Sequence, residues 1–346
     1  MAMTYRARRR WRNLGIALLA LLLAAVAAWI CWAVWLGRYM TYSRDGARLD
    51  FSLSPEDLVG EQVERPEPQE TIHIIYNEGE ELITSDVELT RLVGYYITLE
   101  DLQGDLGSLR TTLQGLEKGT AVMLDLKNGR GGFYYSSKIP TAMSSGDVDA
   151  AKIDQLISWL RLSQLYVIAR VPSFQDWNYA LINHENRNYI SLPLSSGALW
   201  MDDEGCYWLD PEEGDTMAYL AQIAGELQSL GFDEVVFSGF RYPDTTKIVY
   251  REGLNKTAAL EKLAQDLVTT SATETFAVSF QTGNTSFTAP QGRSRLYLTD
   301  VPADQVQSVV ENAAVVDKAT GLVFRAQPND TRYTDYGVLR PVGNLG

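Results

Sequence analysis

The stretch LGFDEVVFSGFRYP, Leu230 to Pro243, decides the fold, because it contains a helix end, a strand and the exit from that strand. Gly231 is a typical C-cap for a helix predicted just before it, in which apolar residues recur at helical spacing. These residues are Met217, Leu220, Ala224 and Leu227. Residues 233–238 then form a short apolar run, and Gly239 ends it. The stretch therefore predicts a buried strand that follows a helix.

The same order of elements recurs on both sides of this stretch. Strands are predicted at 92–98, 120–126, 165–170, 275–281 and 294–299, and amphipathic helices lie between most of them. Apolar strands that alternate with helices indicate a parallel sheet covered on its outer face. The regular repeat predicts a closed (β/α) barrel of the TIM type, and an open α/β sheet is the alternative. Because the units shrink after residue 270, we expect the C-terminal half to be irregular or truncated.

Candidate site residues follow from this fold. In a (β/α) barrel, the chemistry lies where the strands give way to the following loops. We expect the ends of the second to fourth strands to surround one hollow, together with the insertion 171–211. The side chains expected there are Asp125, Lys127, Arg170, Trp177, Trp200, Tyr207, Trp208, Asp210, Ser238, Arg241 and Tyr242.

Four segments in a fixed order carry a resemblance to a known family. They are GTAVMLDLKNGRGGFYYSSKIP (119–140), LYVIARVPSFQD (165–176), GALWMDDEGCYWLDP (197–211) and LGFDEVVFSGFRYP (230–243). The chain resembles, over about residues 91–250, bacterial glycoside hydrolase-like proteins with a TIM-barrel core, known mostly as a domain of unknown function and similar to alpha-amylase-like barrels. The resemblance implies a protein that hydrolyses or recognises polysaccharide.

One departure from the family pattern affects the expected chemistry. The family has an aspartate after the fourth strand, and in related barrels this aspartate is the expected nucleophile or base. Here Ser238 occupies its position, and the family's C-terminal half is longer than the stretch after Asn255. Glycoside hydrolysis usually needs two carboxyl groups, and a serine hydroxyl is uncharged near neutral pH. Asp125 with Asp210 remains as the candidate catalytic pair, and Asp125 with Asp176 is the alternative pair.

The other candidates suit sugar binding, and with the resemblance they imply that the strand ends converge on a sugar-sized hollow. Trp177, Trp200, Tyr207, Trp208 and Tyr242 offer flat apolar faces to pyranose rings. Charged side chains can hydrogen-bond to hydroxyl groups, and these are Lys127, Arg170 and Arg241. The alternatives are that the aromatic residues form the insertion's own small core and that Asp125 and Arg241 serve in structural ion pairs.

The N-terminus has the composition of a membrane anchor. Residues 14–36 contain no charged side chain, and at about 1.5 Å per residue a helix of this length crosses a hydrocarbon layer of roughly 30 Å. Five arginines precede this segment and only Arg38 follows it closely, so the basic tail 1–13 is expected in the cytoplasm. The predicted order is tail, anchor 14–36, extracytoplasmic linker 37–70 with three prolines, and barrel 71–346. A cleaved signal peptide is the alternative.

Charge and composition exclude several functions. Six of the 30 basic residues and none of the 44 acidic ones lie in residues 1–40, so the rest of the chain has a formal charge of −20. Such an acidic body repels nucleic acid. With two histidines and two cysteines far apart in sequence, we expect no metal site, and no cofactor is expected. The function classes left open are a cell-envelope glycoside hydrolase, a catalytically degenerate glycan- or envelope-binding barrel, and a rigid spacer.

Overall fold

The computed structural model describes residues 25, 26, 29, 40–43, 46–49, 89–185, 190–283, 287–299, 301–326, 333 and 335–344. The chain divides into two units, Met1–Glu81 and Leu82–Gly346. The second unit contains the barrel, and the predicted boundary at residue 71 lies outside the described residues.

The first unit is described only in part. Ala25, Val26 and Trp29 are helical, and Met40–Ser43 pairs antiparallel with Gly46–Leu49. Most of the predicted anchor 14–36 lies outside the described residues, as does the whole of the tail 1–13. No helix within the described part of the chain has the length and apolar character needed to cross a bilayer.

The second unit is a closed barrel of eight parallel strands. They are β1 (Val93–Ile97), β2 (Ala121–Asp125), β3 (Tyr166–Pro172), β4 (Glu234–Ser238), β5 (Ala277–Gln281), β6 (Leu296–Leu298), β7 (Leu322–Arg325) and β8 (Gly337–Pro341). Each strand pairs with the next along the chain, and β8 pairs with β1, with Leu339 opposite Gly94. The closed order confirms the barrel and excludes the open sheet.

Helices cover the outside of this barrel. Among the described residues they are α1 (Leu99–Gln103), α2 (Leu106–Gln114), α3 (Ala150–Leu162), α4 (Trp177–Glu185), α5 (Gly214–Ser229), α6 (Lys256–Ser271), α7 (Val306–Asn312) and α8 (Lys318–Gly321). Side-chain caps begin several of them, such as Asp149 at α3 and Asn255 at α6, because the first backbone N–H groups of a helix lack intrahelical partners. At the end of α5, Gly231 follows the last turn with φ +88, a left-handed conformation that glycine adopts readily.

The expectation of a truncated C-terminal half was wrong. Two strands that the sequence pattern did not reveal, β7 and β8, complete the barrel. The half is irregular as expected, because α8 has only four residues and Val342–Asn344 forms a 3₁₀ turn after β8.

The barrel interior is filled in layers, because alternate residues of each strand point inward. Its middle is apolar and buried, and it consists of Leu92, Ala121, Met123, Ile168, Val236, Tyr297, Val323 and Leu339. A second, larger apolar cluster lies between the strands and the surrounding helices.

A polar cluster occupies the amino-terminal end of the barrel interior. Glu234 is fully buried, and its Oε2 lies 2.5 Å from Nη1 of Arg295, which is 2% exposed. The hydroxyls of Tyr166 and Tyr297 each donate a hydrogen bond of 3.0 Å to Glu234. Arg295 also donates to two backbone carbonyl oxygens. The buried charges are therefore paired and hydrogen-bonded, as a low-dielectric interior requires.

Candidate functional site

Polar side chains replace the apolar layer at the carboxyl end of the barrel. The inward-facing positions that follow the apolar middle belong to β2 through β7. We call this set the mouth ring, and its members are Asp125, Arg170, Ser238, Gln281, Thr299 and Arg325. Because this edge carries the active site in barrels of this type, the mouth ring is the candidate functional site.

A chain of hydrogen bonds fixes one side of the mouth ring. Arg170 Nη1 donates to Oδ1 of Asp125 at 2.7 Å, and Arg170 Nε donates to Oε1 of Gln281 at 2.8 Å. The amide of Gln281 donates to the hydroxyl of Thr299 at 3.3 Å. The structure therefore brings together Asp125 and Arg170, and their side chains are 30% and 22% exposed. Tyr134 lies nearby, and burial together with nearby carboxylates, Asp125 among them, raises its pKa to about 12.

Arg325 forms the other side of the mouth ring. Its guanidinium carbon lies 4.3 Å from the centre of the Tyr96 ring, a cation–π contact. Its Nε is buried and has no hydrogen-bond partner. A buried donor without a partner costs about 1–3 kcal/mol, so this arginine is held in a position that its own hydrogen bonds do not explain.

A small recess lies between these two sides. It has a volume of about 80 Å³, and its polar lining comes from Tyr96, Thr98, Asp125, Arg170 and Arg325. Ligand pockets usually measure about 300–1,000 Å³, so the recess lined by the described residues is smaller than the sugar-sized hollow expected from the sequence. The recess has room for a group of a few heavy atoms.

Ser238 belongs to the mouth ring by position, but its hydroxyl is turned into the wall. The residue is 7% exposed, and its Oγ donates to the carbonyl oxygen of Val171 at 3.2 Å. Its own carbonyl oxygen accepts hydrogen bonds from the amide and the hydroxyl of Ser173. Ser238 therefore ties β4 to β3.

Lys127 lies apart from the recess, in a buried ion pair. Its Nζ is 2.8 Å from Oδ2 of Asp176, and both side chains are 1% exposed. Asp176 also accepts hydrogen bonds from the hydroxyl of Tyr219 and the amide of Tyr179. Gly131 permits this arrangement, because its φ is +86 and a Cβ there would lie 2.3 Å from Oδ1 of Asp176. The pair joins the loop after β2 to the insertion after β3, so neither side chain is open to a ligand.

The aromatic residues of the insertion pack mainly against one another and the protein. Trp200 and Trp208 are 9% and 3% exposed, with ring centres 6.1 Å apart. The indole N–H of Trp208 donates to Asp202, and the guanidinium of Arg241 lies 5.2 Å from the Trp208 ring. Tyr207 lies within the same segment and is half-buried. These residues form the small core given above as the alternative to a sugar platform.

Trp177 and Tyr242 occupy separate places. Trp177 begins α4, is half-buried, and its amide donates to the carbonyl oxygen of Gly129. Tyr242 is 7% exposed and packs edge-on against Tyr250. Neither residue lines the recess.

Asp210 lies in the loop before α5, beyond the recess lining. Its Oδ1 accepts a hydrogen bond from the amide of Glu212 at 3.0 Å. Burial raises the pKa of the Asp210 carboxyl, although that hydrogen bond acts in the opposite direction. After burial, the charge of Asp210 is the next cause that raises the pKa values of Tyr242 and Tyr250, so the three residues are close together. No contact joins Asp210 to Asp125 within the described ranges.

Four residues at the mouth of the barrel were not predicted from the sequence, namely Arg325, Tyr96, Gln281 and Thr299. Arg325 ends the short run LVFR just as Arg170 ends LYVIAR, and this similarity could have identified it. Tyr96 is the inward tyrosine of the pair in LVGYYIT, but the sequence alone did not show which tyrosine faces inward.

A larger cavity, of about 700 Å³, lies at the opposite end of the barrel. Its lining includes residues 289–294, which precede β6, and Thr320 and Gly321, which precede β7. The loops at this end of such barrels serve stability rather than chemistry, so we assign the functional site to the smaller recess.

The solved structures to which this chain is similar include proteins of several kinds. A hypothetical protein from Ruminiclostridium thermocellum is 21% identical, with a TM-score of 0.45, and the match covers 54% of this chain and 96% of that one. A GH36 alpha-galactosidase from Geobacillus stearothermophilus is 13% identical, with a TM-score of 0.47 and coverage of 74% and 40%. A GH20 exo-beta-N-acetylglucosaminidase from Vibrio harveyi is 8% identical, with a TM-score of 0.47 and coverage of 69% and 41%. The match thus spans well under half the length of the two enzymes.

No curated protein sequence matches the chain. A family model described as "Putative glycosyl hydrolase domain" matches residues 95–280, which is more than half of the chain and runs from within β1 to within β5. The chain therefore belongs to this glycosyl hydrolase domain family.

Proposed function

We propose that the mouth of the barrel recognises a glycan and that the protein acts as a carbohydrate-binding member of its family. The proposal rests on the polar composition of the mouth ring. The mouth ring presents amide, hydroxyl, guanidinium and carboxylate groups at the edge where this fold places its ligands. These groups are the donors and acceptors that sugar hydroxyls require.

Binding is favoured over hydrolysis because the recess contains a single carboxylate. Asp125 is the acidic residue among those that line it, and it is ion-paired with Arg170. Hydrolysis with either stereochemical outcome uses two carboxyl groups that flank the glycosidic bond. Ser238 stands where the family resemblance leads us to expect the second, and its hydroxyl is bonded to a backbone carbonyl oxygen.

The test is affinity measured together with turnover. The purified full-length chain is titrated calorimetrically with a panel of oligosaccharides, and the same mixtures are assayed for new reducing ends. We expect binding without cleavage. Arg170→Gln should weaken binding about 10- to 100-fold, because charge-assisted hydrogen bonds contribute about 1.5–3 kcal/mol each. Lys262→Gln, on the exposed face of α6, is the control and should bind normally. If no glycan binds, the proposal is refuted.

Hydrolysis by Asp125 and Asp210 is the second candidate. The raised pKa of the Asp210 carboxyl favours it, because a general acid must hold its proton near neutral pH. In this case reducing ends appear in the same assay, and both Asp125→Asn and Asp210→Asn abolish them. Hydrolysis that survives either substitution contradicts the assignment of these two residues as the catalytic pair.

We also propose that residues 14–36 anchor the protein in the cell membrane, with the barrel outside the cytoplasm. The uncharged segment and its arginine-rich N-terminal flank support this orientation. Protease added to spheroplasts that express the full chain should digest the barrel, while the membrane-extracted protein should retain its N-terminus. A protected barrel would refute the orientation, and a chain that begins near residue 28 would indicate cleavage.

A further inference from the structure

The charges around the recess do not balance. Three charged side chains line it, namely Asp125, Arg170 and Arg325, so the recess carries a formal charge of +1. The chain outside residues 1–40 carries −20. A positive recess in so acidic a protein attracts an anionic group to one place while the remaining surface repels it.

The excess positive charge belongs to Arg325. Arg170 is neutralised by Asp125 and oriented by Gln281. Arg325, by contrast, makes neither an ion pair nor a hydrogen bond with the described part of the chain, and its Nε is buried without a partner. Its guanidinium is held instead by the face of Tyr96, which leaves the hydrogen-bonding edge of the fork unused.

The size of the recess limits what can complete this site. About 80 Å³ is the room of a few water molecules, so a group of three to five heavy atoms fits but a pyranose ring does not. A planar carboxylate matches a guanidinium edge with two parallel hydrogen bonds and neutralises its charge. A sugar hydroxyl would supply an acceptor but would leave the charge unpaired.

We propose that the recess binds the carboxylate of an acidic sugar of the uronic-acid type. Arg325 pairs with the carboxylate, and the Arg170–Asp125 pair beside it hydrogen-bonds to neighbouring hydroxyls of the same residue. This inference rests on the proposed glycan recognition and specifies its substrate class. The two arginines come from β3 and β7, on opposite sides of the barrel, so the site is formed by the fold and not by a local sequence motif.

The test compares three probes on the full-length chain: D-glucuronate, glucose 6-sulfate and glucose. We expect glucuronate to bind at least 10-fold more tightly than glucose, with an affinity that falls as salt is added. Arg325→Gln should remove this advantage, and Arg325→Lys should keep part of it, because lysine supplies charge without the planar fork. Arg110→Gln is the matched control, since Arg110 also lies over an aromatic ring, that of Trp159, but outside the barrel.

The outcomes separate this inference from the proposed function. If neutral glycans bind as well as glucuronate does, the carboxylate assignment is overturned while glycan recognition stands. A preference for the sulfate over glucuronate also overturns it, and so does a glucuronate advantage that persists in Arg325→Gln. If acetate raises the melting temperature of wild type but not of Arg325→Gln, at matched ionic strength, while no glycan binds, the anion site stands and glycan recognition fails. If Arg325→Gln misfolds, the comparison of the three probes on the wild-type protein still decides whether the protein prefers a carboxylate-bearing sugar.

Discussion

Replacing Lys127 by Met should reduce the stability of the barrel strongly, because the substitution leaves a buried carboxylate without its counterion. Nζ of Lys127 lies 2.8 Å from Oδ2 of Asp176, and each side chain is 1% exposed. Removing one partner of such a pair costs about 3–5 kcal/mol. Asp176 would keep its hydrogen bonds from Tyr219 and Tyr179, so we expect the lower end, about 3 kcal/mol. The total free energy of unfolding of a domain of this kind is only about 5–15 kcal/mol.

The assay is equilibrium unfolding in urea, with the midpoint and the slope both fitted. Lys262→Met is the matched control, because Lys262 pairs with Asp266 at 2.5 Å on an exposed helix face. Such a surface pair contributes about 0.3–0.5 kcal/mol. The double variant Lys127→Met/Asp176→Asn should lose less than the sum of the single variants, since it removes the stranded charge.

A loss below about 1 kcal/mol for Lys127→Met, similar to the control, would refute the reasoning. It would mean that Asp176 is neutral or hydrated when Lys127 is absent. A normal stability combined with lost glycan binding would restore Lys127 as a ligand-binding residue.

Three further predictions concern the barrel and its loops. Gly94→Ala should prevent folding or lower the melting temperature by more than any surface variant, because the new Cβ would lie 1.9 Å from the carbonyl oxygen of Ala121. A normal melting temperature would contradict this close packing of β1 against β2. Glu234→Gln should cost about 3–5 kcal/mol in urea unfolding by leaving Arg295 buried without a counterion, and an unchanged midpoint would refute this. Asp210→Asn should raise the free energy of unfolding at pH 7 relative to wild type, because burial raises the folded pKa and the ionised carboxyl destabilises the fold. The gain should vanish as the pH falls below the ordinary value of 3.8, and a gain that is independent of pH would exclude titration as the cause.

Much of the barrel could be predicted from sequence because its first five strands are regular. The strand predicted at 233–238 is Glu234–Ser238, and the helix stripe from Met217 to Leu227 lies within α5. The last strands gave a weaker pattern. Leu322–Arg325 has four residues and follows a helix of a single turn, so neither length nor helical periodicity marks the unit.

The candidate site was harder to predict than the fold. Asp125 and Arg170 were identified because both end long apolar strands, and they meet at the mouth ring. Lys127 lies two residues after Asp125, so strand alternation predicts that both side chains face the barrel mouth. The strand ends at Asp125, however, and Lys127 forms a buried ion pair with Asp176 instead. Aromatic composition could not distinguish a ligand platform from a loop core, since burial depends on how Trp200 and Trp208 meet in three dimensions.

The pairing of the last strand with the first has a consequence for biosynthesis. The recess is lined by Tyr96 from β1 and Arg325 from β7. The barrel has open strand edges until β8 pairs with β1. A nascent chain that has emerged only as far as residue 280 contains the whole segment that matches the family, yet it lacks one wall of the recess. If the recess binds a glycan as proposed, ligand stabilises this protein only after synthesis has passed the final strand. A C-terminal truncation should then abolish recognition without altering the four upstream segments that carry the family resemblance.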